Sequence, residues 1–98
     1  MAKAKERYVI VRSERAGVFA GVLVSRIGQE VILKYSRRLW YWKGAASLSE
    51  LAVTGTSDPK GCKFPVEVPN HEIIGVIEVL DVSDEARKSI ASVPIWKA

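Results

Sequence analysis

The residues best suited to chemistry lie at positions 36–44, SRRLWYWKG, where two tryptophans, one tyrosine and three cations occupy six of the nine positions. Trp and Tyr rings stack on flat aromatic groups, while a guanidinium grips phosphate or carboxylate oxygens through two parallel hydrogen bonds. This combination suits a ligand with a flat ring and an anionic group. We therefore expect a nucleotide-like or other anionic small molecule to bind here. The expected contacts are Arg37 and Arg38, supported by Trp40, Trp42 and Lys43.

The same side chains also admit a structural interpretation. A tryptophan packed into the core of a small domain buries about 150–250 Å², so Trp40 and Trp42 are either core residues or a platform for a ligand. Packing explains two adjacent arginines less well, and we expect them to face an anion or an acidic neighbour. If Arg37 and Arg38 contact only the ligand, replacing both by Ala abolishes binding and leaves the melting temperature almost unchanged.

Motifs for catalysis are not recognisable in the sequence. His71 is the only histidine and Cys62 the only cysteine, so the chain offers no His/Cys cluster of metal ligands. It also has no Gly-rich phosphate loop, no nucleophile elbow and no paired-carboxylate motif. We expect a binding protein that is not an enzyme, with neither metal nor cofactor, in which His71 is structural or solvated.

Charge is distributed unevenly along the chain. Residues 1–43 contain ten Lys and Arg against three Glu, a net charge of +7, and residues 44–98 contain five cations against eight acids, a net charge of −3. If this asymmetry persists in the folded protein, one side attracts phosphates or carboxylates. If the two halves interleave, the charges largely cancel. The basic half makes nucleic acid the alternative partner.

The bulk composition predicts one cytosolic domain. Ninety-eight residues, 48% of them hydrophobic, are enough for one modest core. We expect a single domain over residues 1–98, with residues 1–6 as a flexible lead-in. A single cysteine excludes an internal disulfide, and no apolar run approaches 20 residues, which favours a reducing compartment and no membrane partner.

Strand patterns and a helix-capping pattern predict the elements that position residues 36–44. Residues 7–13, 18–26 and 30–36 are rich in β-branched side chains and predict strands, with Gly21 marking a bulge or a close backbone approach. Continued alternation beyond residue 36 places Arg37 and Arg38 on opposite faces. Ser47 and Glu50 form a capping box that begins a short helix.

The patterns in the rest of the chain predict a short edge strand, a long strand and a C-terminal helix. Residues 56–69 form a loop in which 64–68 suits a short edge strand, and residues 72–82 are the longest apolar run. Asp81 or Ser83 caps a helix that extends to Ser92. The fold class is therefore α+β, with a small antiparallel sheet or partly open barrel of five to six strands, one short helix and one C-terminal helix.

The C-terminal end has an unusual concentration of apolar residues. Pro94 prevents the helix from continuing, and Ile95 and Trp96 follow it. These side chains must dock on the chain's own sheet or on another copy. We expect a homo-oligomer whose interface contains Pro94, Ile95 and Trp96, because a chain this short has little core surface to offer.

Three stretches carry a resemblance that extends over nearly the whole chain: YVIVRSERAGVFAGVLVSR, RRLWYWKGAASLSELAVTG and VIEVLDVSDEARKSIASVPIW. In these stretches the chain resembles a group of small uncharacterised proteins encoded by tailed bacteriophages and prophages. The resemblance implies a setting, the host cytoplasm, and no particular mechanism. A phage accessory protein of this kind is expected to sequester a host immune nucleotide signal, to bind nucleic acid, or to act as a structural or protein-inhibiting module.

Overall fold

The first half of the chain forms three consecutive antiparallel strands. Residues 6–97 are described here from a computed structural model. The strands are β1 (Tyr8–Ser13), β2 (Gly17–Ile27) and β3 (Glu30–Arg38), each paired with the next. This confirms the strands predicted from the β-branched patterns. The predicted flexible lead-in lies outside the described residues, apart from Glu6.

The second half contributes two helices and two strands. In chain order they are α1 (Leu48–Val53), a single 3-10 turn (Pro59–Gly61), β4 (Val68–Ile73), β5 (Val76–Asp81) and α2 (Asp84–Ala91). Both helices begin at predicted caps, because Ser47 Oγ accepts the Glu50 N–H at 3.2 Å and Ser83 Oγ accepts the Ala86 N–H at 3.0 Å. Neither helix is long and apolar enough to cross a membrane, and the same holds throughout the described chain.

The prediction of one strand over residues 72–82 is wrong. Gly75, at φ +74°, breaks the run, so that β4 pairs with β3 and β5 pairs with β1. The five strands lie in the order β4-β3-β2-β1-β5, all antiparallel. The predicted edge strand at 64–68 is also wrong, because Phe64 forms only an isolated bridge and β4 begins at Val68.

A two-residue connection between the two edge strands requires the sheet to curl. The Glu14 N–H donates to Gly75 O at 2.8 Å and the Val76 N–H to Gln29 O at 3.0 Å, which fixes the connection to the neighbouring turns. The sheet remains open along the rest of its edges, since β4 and β5 do not pair. The predicted α+β class, with an open curled sheet, is confirmed.

Each face of the sheet has its own core. The inner cluster fills the inside of the curl with Val9, Val11, Phe19, Val31, Leu33, Ile73 and Val76. The outer cluster lies between the sheet and the helices and contains Ile10, Ala20, Leu39, Leu51, Ala52, Cys62, Phe64, Ile90 and Val93. Both helices therefore cover the same face of the sheet, the one that carries the outer cluster.

The predicted close approach at Gly21 is confirmed. The β2–β3 register shifts between Ala20 and Val22, and a Cβ on Gly21 would lie 3.0 Å from Lys34 O and 3.1 Å from the Cα of Ser36. Beside this irregularity Tyr35 adopts φ +54°, the only positive φ of a non-glycine residue in residues 6–97. Such a conformation is costly for a tyrosine and is often found at functional sites.

Candidate functional site

Arg37 and Arg38 lie on opposite faces of the sheet, as their alternation predicts. Arg37 stands opposite Ala20 of the outer cluster, whereas Arg38 stands opposite Phe19 of the inner cluster. The structure therefore does not bring the two arginines together. Each borders a different groove.

Arg37 is almost completely buried, with 7% of its surface exposed, and it binds four backbone carbonyls. Its Nη2 donates to Val93 O at 2.7 Å and to Phe64 O at 3.1 Å. Nη1 donates to Ile90 O at 2.9 Å, and Nε donates to Pro65 O at 3.2 Å. Arg37 thus ties the end of α2 and the segment around residue 64 to β3, a structural role that the sequence did not indicate.

The positive charge of Arg37 has no ion-pair partner in the described part of the chain. Burial lowers the pKa of Arg37, while the nearby Tyr8 and Glu67 raise it. An arginine nevertheless stays protonated in a protein. The carbonyl dipoles at the end of α2 stabilise this cation, and the carboxylate of Glu67 lies near it without forming an ion pair.

A groove of about 500 Å³ opens beside Arg37. Its lining consists of Tyr8, Tyr35, Arg37, Glu67, Arg87, Ile90, Ala91, Val93 and Ile95. The guanidinium of Arg87 lies 4.6 Å from the centre of the Tyr8 ring and donates to Glu6 Oε1 at 3.0 Å. Burial raises the pKa of Tyr8, so its hydroxyl is neutral and able to donate a hydrogen bond. The Tyr35 ring is 49% exposed.

Arg38 belongs to a second groove, at the opposite face of the sheet. Its guanidinium lies 4.5 Å from the centre of the Phe19 ring, and Nη1 donates to Ala16 O at 2.7 Å. This groove, of about 540 Å³, also contains His71. Arg38 keeps most of its donors free, whereas the donors of Arg37 are nearly all used.

His71, which the sequence predicted to be structural or solvated, has a structural environment. Its Nδ1 lies 3.0 Å from Ser36 Oγ, and its ring meets the Phe19 ring edge to face at 4.8 Å. Burial, followed by the positive charge of Arg38, lowers the pKa of His71 below 6.5. The neutral imidazole is therefore the form that fits the folded protein.

The free energy of unfolding is expected to decrease as the pH falls below 6.5, the pKa of an unperturbed histidine. The unfolded chain then binds a proton at His71 that the folded chain resists, so acid favours unfolding. Stability from this group is fully present above pH 6.5 and is lost as the pH falls through the lower, folded pKa. His71→Gln, which cannot titrate, should flatten this part of the profile in urea unfolding. A variant profile as steep as that of the wild type would assign the effect to other groups.

The two tryptophans of the 36–44 stretch have different environments. Trp42 packs against the outer cluster, whereas Trp40 is 63% exposed. Lys43 is exposed. Tyr41, which the sequence did not single out, is exposed as well and pairs with Lys63 in an isolated bridge. Trp42 is therefore partly buried against the core, and Trp40 is free to meet a partner.

The C-terminal tail docks on its own chain through two backbone contacts and through the contact of Lys63 Nζ with the Trp96 ring, at 5.5 Å from the ring centre. Ile95 forms a parallel bridge with Phe64, and the Trp96 N–H donates to Phe64 O at 3.0 Å. The side chains of Pro94, Ile95 and Trp96 remain exposed. Self-association through them stays a prediction.

Several residues of the groove were not apparent from the sequence. Tyr35 lies in a regular strand pattern, and nothing in that pattern reveals its positive φ. Arg87 reads as an ordinary cation late in a helix. Tyr8 and Glu67 are separated by about 60 positions. The one available signal was Gly21, whose close approach to β3 displaces the backbone at Tyr35.

Fold and groove together define a small α+β domain with an open curled sheet and a groove that carries cations and tyrosines. The family described as "Domain of unknown function (DUF6948)" matches residues 6–90, and the chain belongs to this family. No curated protein and no solved structure matches the chain.

Proposed function

We propose that the protein binds, without turnover, a small anion with a flat ring, such as a nucleotide, in the groove beside α2. The observation that carries this proposal is the buried charge of Arg37, which has no carboxylate partner in the described chain and borders the groove. An anion in the groove would complete the charge balance that the protein leaves open. Concave sites with a few convergent polar groups are also where small ligands usually bind.

The side chains around Arg37 have complementary roles. Tyr35 offers a half-exposed ring for stacking, and the strained φ of its backbone holds that ring at the groove. Arg87 is the movable contact, because it exchanges an exposed carboxylate, Glu6, for the anion of the ligand. Glu67 accepts hydrogen bonds from amino groups and repels a second anionic group, so it favours a ligand of low charge.

Binding without turnover is supported by the chemistry of the lining. The groove contains one carboxylate and no histidine, cysteine or serine among the residues that line it. A nucleophile with an adjacent base, the usual requirement for acyl or phosphoryl transfer, is therefore not assembled there. The phage resemblance supports a finer proposal, that the protein acts in a host cytoplasm by sequestering a nucleotide signal of host immunity.

Thermal shift and calorimetry with linear and cyclic nucleotides, and with inorganic phosphate, test this proposal. A ligand at a hundred times its Kd adds about 2.7 kcal/mol to the free energy of unfolding. Arg87→Gln is expected to weaken nucleotide binding about tenfold or more, because it removes a hydrogen-bonded charge. Tyr35→Asn, which tolerates positive φ, removes the ring and should weaken binding by about the same factor.

Arg12→Gln is the matched control. Arg12 donates to Glu78 at 3.1 Å in an exposed pair similar to that of Arg87 with Glu6, but it does not line the groove. Binding should be unchanged in this variant. The proposal fails if no nucleotide stabilises the protein, or if Arg12→Gln weakens binding as much as Arg87→Gln does.

A further inference from the structure

The exposed side chains of three separate segments, residues 39–43, 60–64 and 94–97, form one surface, the aromatic face, while Leu39, Cys62 and Phe64 of these segments are buried in the outer cluster. The Lys63 N–H donates to Tyr41 O at 2.7 Å, which joins the first segment to the second. Phe64 O accepts the Trp96 N–H, which joins the second to the third. The segments are distant in sequence, with Leu39 and Lys97 58 positions apart.

The rings of the aromatic face are exposed and held in position. Lys63 Nζ lies 5.8 Å from the centre of the Tyr41 ring and 5.5 Å from that of Trp96. This cation orients both rings without covering them, because Tyr41 and Trp96 each remain 45% exposed. Trp40 provides a third exposed ring, whose backbone N–H donates to Lys63 O at 3.2 Å. Rings fixed in this way lose little entropy on stacking.

The aromatic face is predominantly cationic. Its three segments contain Lys43, Lys60, Lys63 and Lys97 and no acidic residue, a net charge of +4, and the adjacent carboxylate of Asp58, which accepts the Gly61 N–H at 3.2 Å, reduces it to +3. All four lysines are exposed. A predominantly cationic surface with exposed rings is complementary to a polyanion whose subunits carry flat bases.

We propose that the aromatic face binds single-stranded nucleic acid. Unpaired bases stack on Trp40, Tyr41 and Trp96, while the lysines contact successive phosphates. The surface is open and extends over three chain segments, so it accommodates several nucleotides, unlike the groove beside α2. Stacking on rings and contacts from point charges do not read base edges, so binding has little sequence preference.

Other occupants match the surface less well. In a two-fold dimer the same patch faces itself, so the four lysines of one copy would oppose those of the other. A duplex offers phosphates but hides the faces of its bases within the stack. A single strand satisfies both the rings and the lysines.

Fluorescence anisotropy with a labelled oligothymidylate and the full chain tests the proposal. If all four lysines contact phosphates, affinity should fall about 50-fold between 50 and 200 mM salt, from a slope of about −0.7 per phosphate contact. Trp96→Ala and Tyr41→Ala should each weaken binding at least about fivefold. Lys60→Gln leaves every ring in place and should reduce the salt slope by about 0.7. Melting curves confirm that each variant is folded.

Comparisons between variants distinguish binding at the aromatic face from binding in the groove beside α2. Lys34→Gln changes an exposed lysine outside the aromatic face and should leave oligonucleotide binding unchanged. Arg87→Gln should leave oligonucleotide binding intact, and Lys60→Gln should leave the thermal shift with mononucleotides intact, so either proposal can fail alone. The inference is overturned if the oligothymidylate does not bind at 50 mM salt, or if a duplex binds as tightly as the single strand. It is also overturned if Lys34→Gln weakens oligonucleotide binding as much as Lys60→Gln does. A dimer in light scattering that Trp96→Ala dissociates overturns it as well, since the face is then an interface between copies.

Discussion

Arg37→Ala is expected to lower the free energy of unfolding by about 3 kcal/mol or more, since each buried carbonyl left without a donor costs ~1–3 kcal/mol. The substitution removes one donor from each of four carbonyls, which belong to Phe64, Pro65, Ile90 and Val93. Phe64 O keeps the N–H of Trp96 and Ile90 O keeps the N–H of Val93, so in the described chain Pro65 O and Val93 O are the two carbonyls left without a donor. In a domain of this size the melting temperature should fall by about 12 °C or more. Urea unfolding followed by tryptophan fluorescence measures the change.

Two variants control this experiment. Arg37→Lys keeps the charge but cannot reach four carbonyls at once, so it should recover only part of the loss. Arg38→Ala removes one exposed hydrogen bond and one ring contact and should cost about 1 kcal/mol. Equal losses in Arg37→Ala and Arg38→Ala would contradict the structural role of Arg37. The expectation that both arginines can be replaced at almost no cost in stability therefore no longer holds for Arg37.

Gly55→Ala is expected to destabilise the protein by about 3 kcal/mol, as the sum of backbone strain and overpacking. Gly55 is buried after α1 at φ +83°, a conformation that alanine adopts only at a cost. A Cβ at this position would also collide with the Cβ and Oγ of Ser89 on α2. Since Thr56 N–H donates to Ser89 Oγ at 2.9 Å, the collision also disturbs the hydrogen bond that joins the two helices.

Gly28→Ala separates the cost of backbone strain from the cost of overpacking. Gly28 has φ +60° in the exposed β2–β3 turn, and nothing lies within 4 Å of the position of its Cβ. It should therefore lose only about 1–2 kcal/mol, the cost of the backbone conformation. Chemical denaturation of both variants gives the difference. If the two substitutions cost the same, close packing of Gly55 against Ser89 is not important for stability.

Local signals predicted much of the fold correctly. The β-branched runs predicted β1 to β3, the two serine caps predicted where α1 and α2 begin, and Gly21 predicted a close approach. These features depend on neighbours within a few positions. The division of residues 72–82 into β4 and β5 was missed, because apolar side chains continue across Ile74 and Gly75 and the strands separate only by pairing with different partners.

Alternation along β3 determined, from the sequence alone, that Arg37 and Arg38 face opposite sides. Only the tertiary structure decided what those sides contain: α2 and the segment around Phe64 cover the side of Arg37, so it binds carbonyls, while Arg38 lies over Phe19. The same holds for the aromatic face, where long-range bridges bring the Tyr41 and Trp96 rings to one cation, Lys63, which contacts both. A strand period of two residues is a local property, whereas the layer that covers each face depends on contacts between segments distant in sequence.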